Sequence, residues 1–212
     1  MKRVVLFING ELRGEKDFYL NYIRDNDKII CADGGAKHTY KLGLIPDLIL
    51  GDLDSIPAEV FNYYQKKGVE FAKYPANKDK SDTQLVLEKL IGESYDEIIL
   101  FAALGGRLDH TLANLYLLEH FNADYFNIKL ISQYETVELI TDEKQIVNKI
   151  NKTVSFLPLT KEVKGVYLTG FKYKLVDAVF TRGDTLGLSN IIKSKVAKVQ
   201  ISKGKMLMTI NN

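Results

Sequence analysis

As far as residue 121 the sequence alternates short apolar runs with amphipathic stretches, and that alternation is what most restricts its fold. Residues 4–8, 28–32, 48–50, 69–71 and 97–102 read as strands. Residues 17–24, 36–42, 58–67, 82–91 and 112–121 read as helices, with Pro57 suited to a first turn and Gly43 to a helix end. Strands that alternate with helices pair in parallel and are covered on both faces. Near residue 130 the pattern changes. Short β-branched and aromatic runs at 136–140, 153–157, 165–168, 178–181, 198–202 and 206–210 are divided by turns, with no long amphipathic helix. The expectation is an α/β protein: a parallel-sheet three-layer domain over residues 1–130, then an all-β sandwich over 131–212.

Cys31 is the single cysteine, so the chain has no internal disulfide, and a reducing, cytoplasmic location is expected. The apolar run after Met1-Lys-Arg is too short for a secretory signal, and no run approaches the ~20 apolar residues of a membrane span. No Lys/Arg tract with interleaved aromatics is present, so neither nucleic acid nor membrane is expected as a partner. Residues 132–212 carry 13 Lys and Arg against 7 Asp and Glu, whereas residues 1–131 carry 16 against 20. The acidic half suits a cation and the basic half an anionic ligand.

Leu48-Ile-Leu-Gly-Asp52-Leu-Asp54-Ser55 ends an apolar run in two aspartates. Continued as a strand, it presents both on one side, where they repel unless a cation lies between them. An all-oxygen site favours Mg²⁺, whose usual business is phosphate. The plain alternative is that Asp54 and Ser55 cap the next helix. Asp33-Gly34-Gly35 lies between a strand and a helix, a place for backbone N–H groups to meet a phosphate or for a turn that needs positive φ. In Lys78-Asp79-Lys80-Ser81-Asp82-Thr83-Gln84, Lys78 or Lys80 would hold phosphates and Asp82 would add a third carboxylate; Ser81 to Gln84 also fits a helix cap. Gly105-Gly106-Arg107-Leu108-Asp109-His110 offers an arginine for bidentate phosphate contact, with Asp109 a possible N-cap. Cys31 is expected in the core, and His38 on a helix surface.

Together these turns resemble the thiamine pyrophosphokinase family, also called thiamine diphosphokinases. The matching strings are Ala-Asp33-Gly-Gly-Ala, Pro46 to Ser55, Lys78 to Asp82, Leu104 to His110 and the ending Gly183-Asp-Thr-Leu-Gly-Leu-Ser189-Asn190. The resemblance implies an α/β nucleotide-binding domain joined to a thiamine-binding sandwich, in a homodimer with active sites between subunits. It implies a transferase moving the diphosphoryl group of ATP to thiamine and releasing AMP. Asp52, Asp54 and Asp82 match the Mg²⁺ acids; Asp33, Gly34, Gly35, Arg107 and Asp109 match positions around nucleotide and phosphates; Ser189 and Asn190 match the thiamine end. Ser81 and Gln84 depart from the usual Thr and Glu, and the chain has no Trp to stack on the pyrimidine.

On this reading thiamine's hydroxyl attacks the β-phosphorus, Lys78 and Arg107 offset charge, and Asp109 or Asp82 accepts the proton. The competing enzyme reading is an aspartyl-phosphate phosphohydrolase with Asp52 as nucleophile. A non-catalytic ligand-binding protein is the third.

Overall fold

The computed structural model describes residues 2–75, 79–121 and 125–212. They form two compact units, Met1–Gln133 and Tyr134–Asn212. The first contains β1 (Arg3–Phe7), α1 (Lys16–Tyr22), β2 (Lys28–Ala32), a 3₁₀ turn (Asp33–Gly35), α2 (Ala36–Leu42), β3 (Leu48–Gly51), α3 (Ala58–Lys66), β4 (Glu70–Lys73), α4 (Asp82–Leu90), β5 (Glu97–Phe101), α5 (Leu108–Phe121) and β6 (Asn127–Ile131). Its strands lie in the order β6-β5-β1-β2-β3-β4, with every pair parallel. Residues 127–131 add a last parallel strand beside β5, and the first unit runs to Gln133.

Both faces of this sheet are covered. Val5, Phe7, Cys31, Ile49, Ile99 and Phe101 pack with α1, α2 and α3, contributing Tyr19, Leu42, Val60 and Tyr64 among others. The alternate residues Leu6, Ile30, Leu50 and Leu100 are equally buried, and α4 lies against β2 and β3 with α5 against β6. Near-continuous apolar strands are the consequence of burial on two faces. The chain winds outward from β1 through β4, then returns to build β5 and β6 on the other side, so the winding reverses between β1 and β5. In open α/β sheets ligands bind at such a reversal, beyond the carboxyl ends of the strands.

Local chemistry explains where the helices stop and start. Gly43 closes α2 in the left-handed region (φ 76°), which glycine adopts without Cβ strain. Ser81 caps α4, its Oγ accepting the Gln84 N–H at 3.2 Å. The Ser81–Gln84 cap read from the sequence is therefore present, and it leaves Asp82 in the first turn. Pro57 sits at the cap of α3, one residue before the first turn. Helix α5 begins at Leu108, a turn earlier than expected, so Asp109 lies inside the helix and is not its N-cap. Far from these turns, at the start of β1, the Arg3 guanidinium is buried with Asp27, Nε to Oδ1 at 2.8 Å, with Glu97 3.9 Å away.

The second unit contains β7 (Glu135–Ile140), β8 (Glu143–Val147), β9 (Thr153–Pro158), β10 (Glu162–Thr169), β11 (Leu175–Thr181), β12 (Asn190–Ile191), β13 (Val196–Gln200) and β14 (Met206–Asn211). Two antiparallel sheets, β12-β9-β14-β7 and β11-β10-β13-β8, share one core. Val154, Phe156, Met206, Met208 and Ile210 come from one sheet and Ile146, Val166, Phe180 and Val199 from the other, the alternate-residue interdigitation of a sandwich. The short strand β8, rich in Glu, Lys and Gln, carries too weak a pattern to be read from sequence.

Candidate active site

A cleft of about 910 Å³ opens in the first unit at the carboxyl ends of the strands. The turns after β1, β2, β3 and β5 and the start of α4 line it, and with them Asp33, Asp52, Asp82 and Arg107. Four residues expected at the site from sequence are thus brought to one cavity. Lys78 lies outside the described residues.

Gly51, the last residue of β3, sets the spacing of the acids. A Cβ there would stand 2.7 Å from the Cβ of Asp33 and 3.2 Å from Oδ1 of Asp82, so the Asp33 Cβ and the Asp82 carboxylate both close on the space that glycine leaves. Asp33 is 4% exposed, and its Oδ1 is buried with no hydrogen-bond partner among the described residues. A buried carboxylate oxygen left in this state requires a cation or donor for its lone pairs.

The paired presentation of Asp52 and Asp54 does not hold. Strand geometry ends at Gly51, and Leu53 turns into the left-handed region (φ 72°), so period-two alternation no longer applies. Asp52 lines the cleft, while Asp54 is exposed, its amide donating to Oδ1 of Asp52 at 3.1 Å. Among the described residues no three acidic, histidine or cysteine side chains stand close enough to hold an ion by themselves.

In the Asp33–Gly35 turn the positive φ falls on Asp33 (44°), not on the glycines. Gly34 and Gly35 are there for close approach: a Cβ on Gly35 would stand 2.1 Å from the Phe7 carbonyl oxygen, and one on Gly34 would strike the Asn9 side chain. Arg107 and Asp109 are both exposed and bound to each other, Nη2 to Oδ2 at 2.6 Å and Nε to Oδ1 at 3.2 Å. That pairing holds the Asp109 carboxyl below its ordinary range and so weakens it as a base.

Sequence reasoning passed over the segment after β1, where only Asn9-Gly10 reads as a turn. Asn9, Gly10, Glu11, Leu12 and Gly14 line the cleft, and the segment is tied to the helices behind it. Lys37 Nζ donates to Asn9 Oδ1 at 2.7 Å, and the Tyr19 hydroxyl to the Arg13 carbonyl at 2.6 Å. His38, expected on a helix surface, is 5% exposed and meets the Gly10 carbonyl through Nε2 at 3.0 Å. A carbonyl only accepts, so Nε2 carries the hydrogen. Burial pushes this imidazole down to about 4, and it is neutral at ordinary pH. Nothing in the sequence around His38 signals its burial, because the cover comes from the loop after β1. Cys31 is fully buried, as expected, and burial raises its thiol to about 12.

In the second unit Ser189 is exposed with φ 56°, and its amide donates to Ser155 Oγ at 3.1 Å. Asn190 is buried and brackets Tyr173: Oδ1 accepts the Tyr173 N–H at 3.0 Å and Nδ2 donates to the Tyr173 carbonyl at 2.7 Å. Tyr173 is 56% exposed, with Lys172 Nζ 5.0 Å from its ring centre. Seventeen residues separate the two partners, so no local pattern announces Tyr173.

Comparison with known proteins bears on both units. The family model described as thiamin pyrophosphokinase, catalytic domain, matches residues 19–131, and that described as its vitamin B1 binding domain matches residues 138–206. The thiamine pyrophosphokinase of Bacillus subtilis (strain 168) is 31% identical over 189 residues, covering 88% of each chain. Thiamine pyrophosphokinase 2 of Oryza sativa subsp. japonica is 26% identical, covering 86% of this chain and 77% of the relative. The crystal structure of thiamine pyrophosphokinase from Bacillus subtilis superposes with a TM-score of 0.88 at 26% identity, over 100% of this chain and 99% of that one. That of thiamin pyrophosphokinase from Geobacillus thermodenitrificans gives 0.86 at 27%, over 100% and 98%. Strand order, site turns and similarity along both units agree, and the chain belongs to the thiamine pyrophosphokinase family.

Proposed function

We infer that this chain is a thiamine diphosphokinase, transferring the diphosphoryl group of ATP to the hydroxyl of thiamine and releasing AMP. The observation that carries the reading is the convergence of Asp33, Asp52, Asp82 and Arg107 on one cleft, in a chain matched to the family along both units. The first unit is assigned the nucleotide and the second the thiamine, as a homodimer whose active sites lie between subunits, in the cytoplasm. Among the described residues no helix is long and apolar enough to cross a membrane.

The partnerless Asp33 Oδ1, with the Asp82 carboxylate gathered over Gly51, fits a divalent cation. Mg²⁺ is commonly held by one or two carboxylates plus phosphate oxygens and waters, so a closed set of three protein ligands is not required. Asp33, Asp52 and Asp82, with Asp54 on the adjoining turn, are the residues that would hold it. Bound there, it supplies charge neutralisation to the phosphate oxygens. Arg107 offers a fork of N–H donors to the same oxygens once it exchanges Asp109 for phosphate. The turn Asp33-Gly34-Gly35 brings backbone close to the nucleotide, and Lys78 would add a further positive charge. Asp82 or Asp109 is assigned the hydroxyl proton; the Arg107 pair lowers the basicity of Asp109 only until Arg107 turns to phosphate. Such transfers rely on positioning and electrostatics more than on a strong base. At the thiamine end Ser189 and the exposed Tyr173 ring meet the substrate, with Asn190 fixing the tyrosine's backbone.

Incubation with ATP, Mg²⁺ and thiamine, followed by chromatography, tests the proposal. Thiamine diphosphate and AMP in equal amounts are expected. ADP, or free phosphate released without thiamine, would overturn it. The phosphohydrolase alternative with Asp52 as nucleophile has no support from the comparisons.

A further inference from the structure

The acids of the cleft gather at the strand ends, but its α2 wall is basic. Lys37 and Lys41 both line the cleft, one turn apart on one face of α2. Among the described residues, neither ammonium has a carboxylate within the 4.0 Å of an ion pair. Like charges spaced four residues apart destabilise a helix. The helix dipole accounts for Lys41, in the last turn, but works against Lys37, in the first. Lys37 is half-buried and held in place by Asn9 Oδ1 at 2.7 Å. Burial, and after it the charge of Lys41, lower its proton affinity, with Asp33 opposing. Two cations kept side by side, one of them partly desolvated, are relieved by an anion between them.

We propose that Lys37 and Lys41 form a phosphate subsite of the cleft, separate from the carboxylates over Gly51, that grips the polyphosphate chain of the nucleotide. This rests on the ATP reading above and adds two residues that no motif of the chain contains. The carboxylates then take the phosphates through a cation, while the lysines take them directly.

Calorimetric titration of Lys37→Gln, Lys41→Gln and the corresponding Lys→Arg variants with ATP and with inorganic tripolyphosphate tests the subsite. Glutamine retains a donor for Asn9 but no charge, and arginine retains the charge. Each Gln substitution is expected to weaken both ligands about tenfold, the size of a charge-assisted hydrogen bond. The Arg variants, which keep the charge, are expected to bind both ligands more tightly than the Gln variants. Unchanged affinity in the Gln variants overturns the subsite, and so does a loss that arginine does not restore. Thiamine diphosphate formation by the wild-type chain is measured alongside. Its absence would overturn the functional reading, while the tripolyphosphate titration still decides the lysines.

Discussion

Replacing Gly51 with alanine tests how the fold builds the site. The new methyl carbon would lie 2.7 Å from the Asp33 Cβ, closer than the 3.0 Å below which real Cβ contacts essentially never occur. Carbon atoms prefer a separation near 3.5–4.0 Å, so relief needs a movement of roughly 1 Å. Asp33 is poorly able to yield, being 4% exposed and held in a left-handed turn. The methyl would also stand 3.2 Å from Asp82 Oδ1, so both acids move together. Overpacking of this kind costs about 1–3 kcal/mol. For a chain of this length that is a fall in Tm of roughly 2–12 °C. The effect on catalysis is larger, because misplacing reacting groups by ~1 Å costs about 100-fold. The assay is kcat/KM for thiamine diphosphate formation, taken well below the Tm found by thermal melting. Gly43→Ala is the comparison. Its φ of 76° makes alanine strained, yet nothing lies within 4 Å of the added carbon and no cleft residue is displaced. It is expected to lose about 1 kcal/mol of stability with kcat/KM intact. A Gly51→Ala enzyme within about threefold of wild type would refute the reasoning, since a 100-fold effect is what the ~1 Å displacement requires.

His38 gives the chain a pH-dependent stability. Its folded pKa of about 4 lies below the unfolded 6.5, so stability is whole above 6.5 and is lost as pH falls from there toward 4. By pH 5 the loss is about 2 kcal/mol. Urea unfolding at pH 7.5 and pH 5.0 should show this loss in wild type and its absence in His38→Gln; equal losses would remove the assignment. Arg3→Ala strands the Asp27 carboxylate, whose side chain is 1% exposed, and should cost about 3–5 kcal/mol in urea titrations. Because Arg3 lies at the far end of β1 from the cleft, the folded variant should keep its kcat, and a large fall in kcat would contradict that placement. Asn190→Ala frees the Tyr173 backbone and should raise the KM for thiamine without changing ATP affinity in calorimetry. A matching change in ATP affinity would show that Asn190 does not act through the thiamine end.

Alternating apolar periodicity was enough to read the helices and the first five strands of the first unit, and most β-branched runs of the second, because burial on one or two faces writes itself into residue order. Where the local signal is strong the agreement is close: β2 and α2 fall on the expected residues, and Gly43 closes α2 through its own backbone freedom. Ser81 caps α4 through a hydrogen bond that spans three residues. The acids Asp33, Asp52 and Asp82 were legible as turn residues after strands. That they share a cleft follows from parallel pairing, which puts every such turn on one edge.

What sequence order left open depends on contacts between distant segments. Whether Asp52 and Asp54 face the same way rests on the left-handed turn at Leu53, and extended alternation could not foresee it. His38 is buried because the loop at Gly10 folds over it, and Tyr173 is fixed by Asn190, seventeen residues away. Side-chain type and spacing thus determined the layers and named the reactive groups. Burial, pairing and protonation were decided only when the sheet brought remote turns together, since each depends on the neighbours a group acquires in three dimensions.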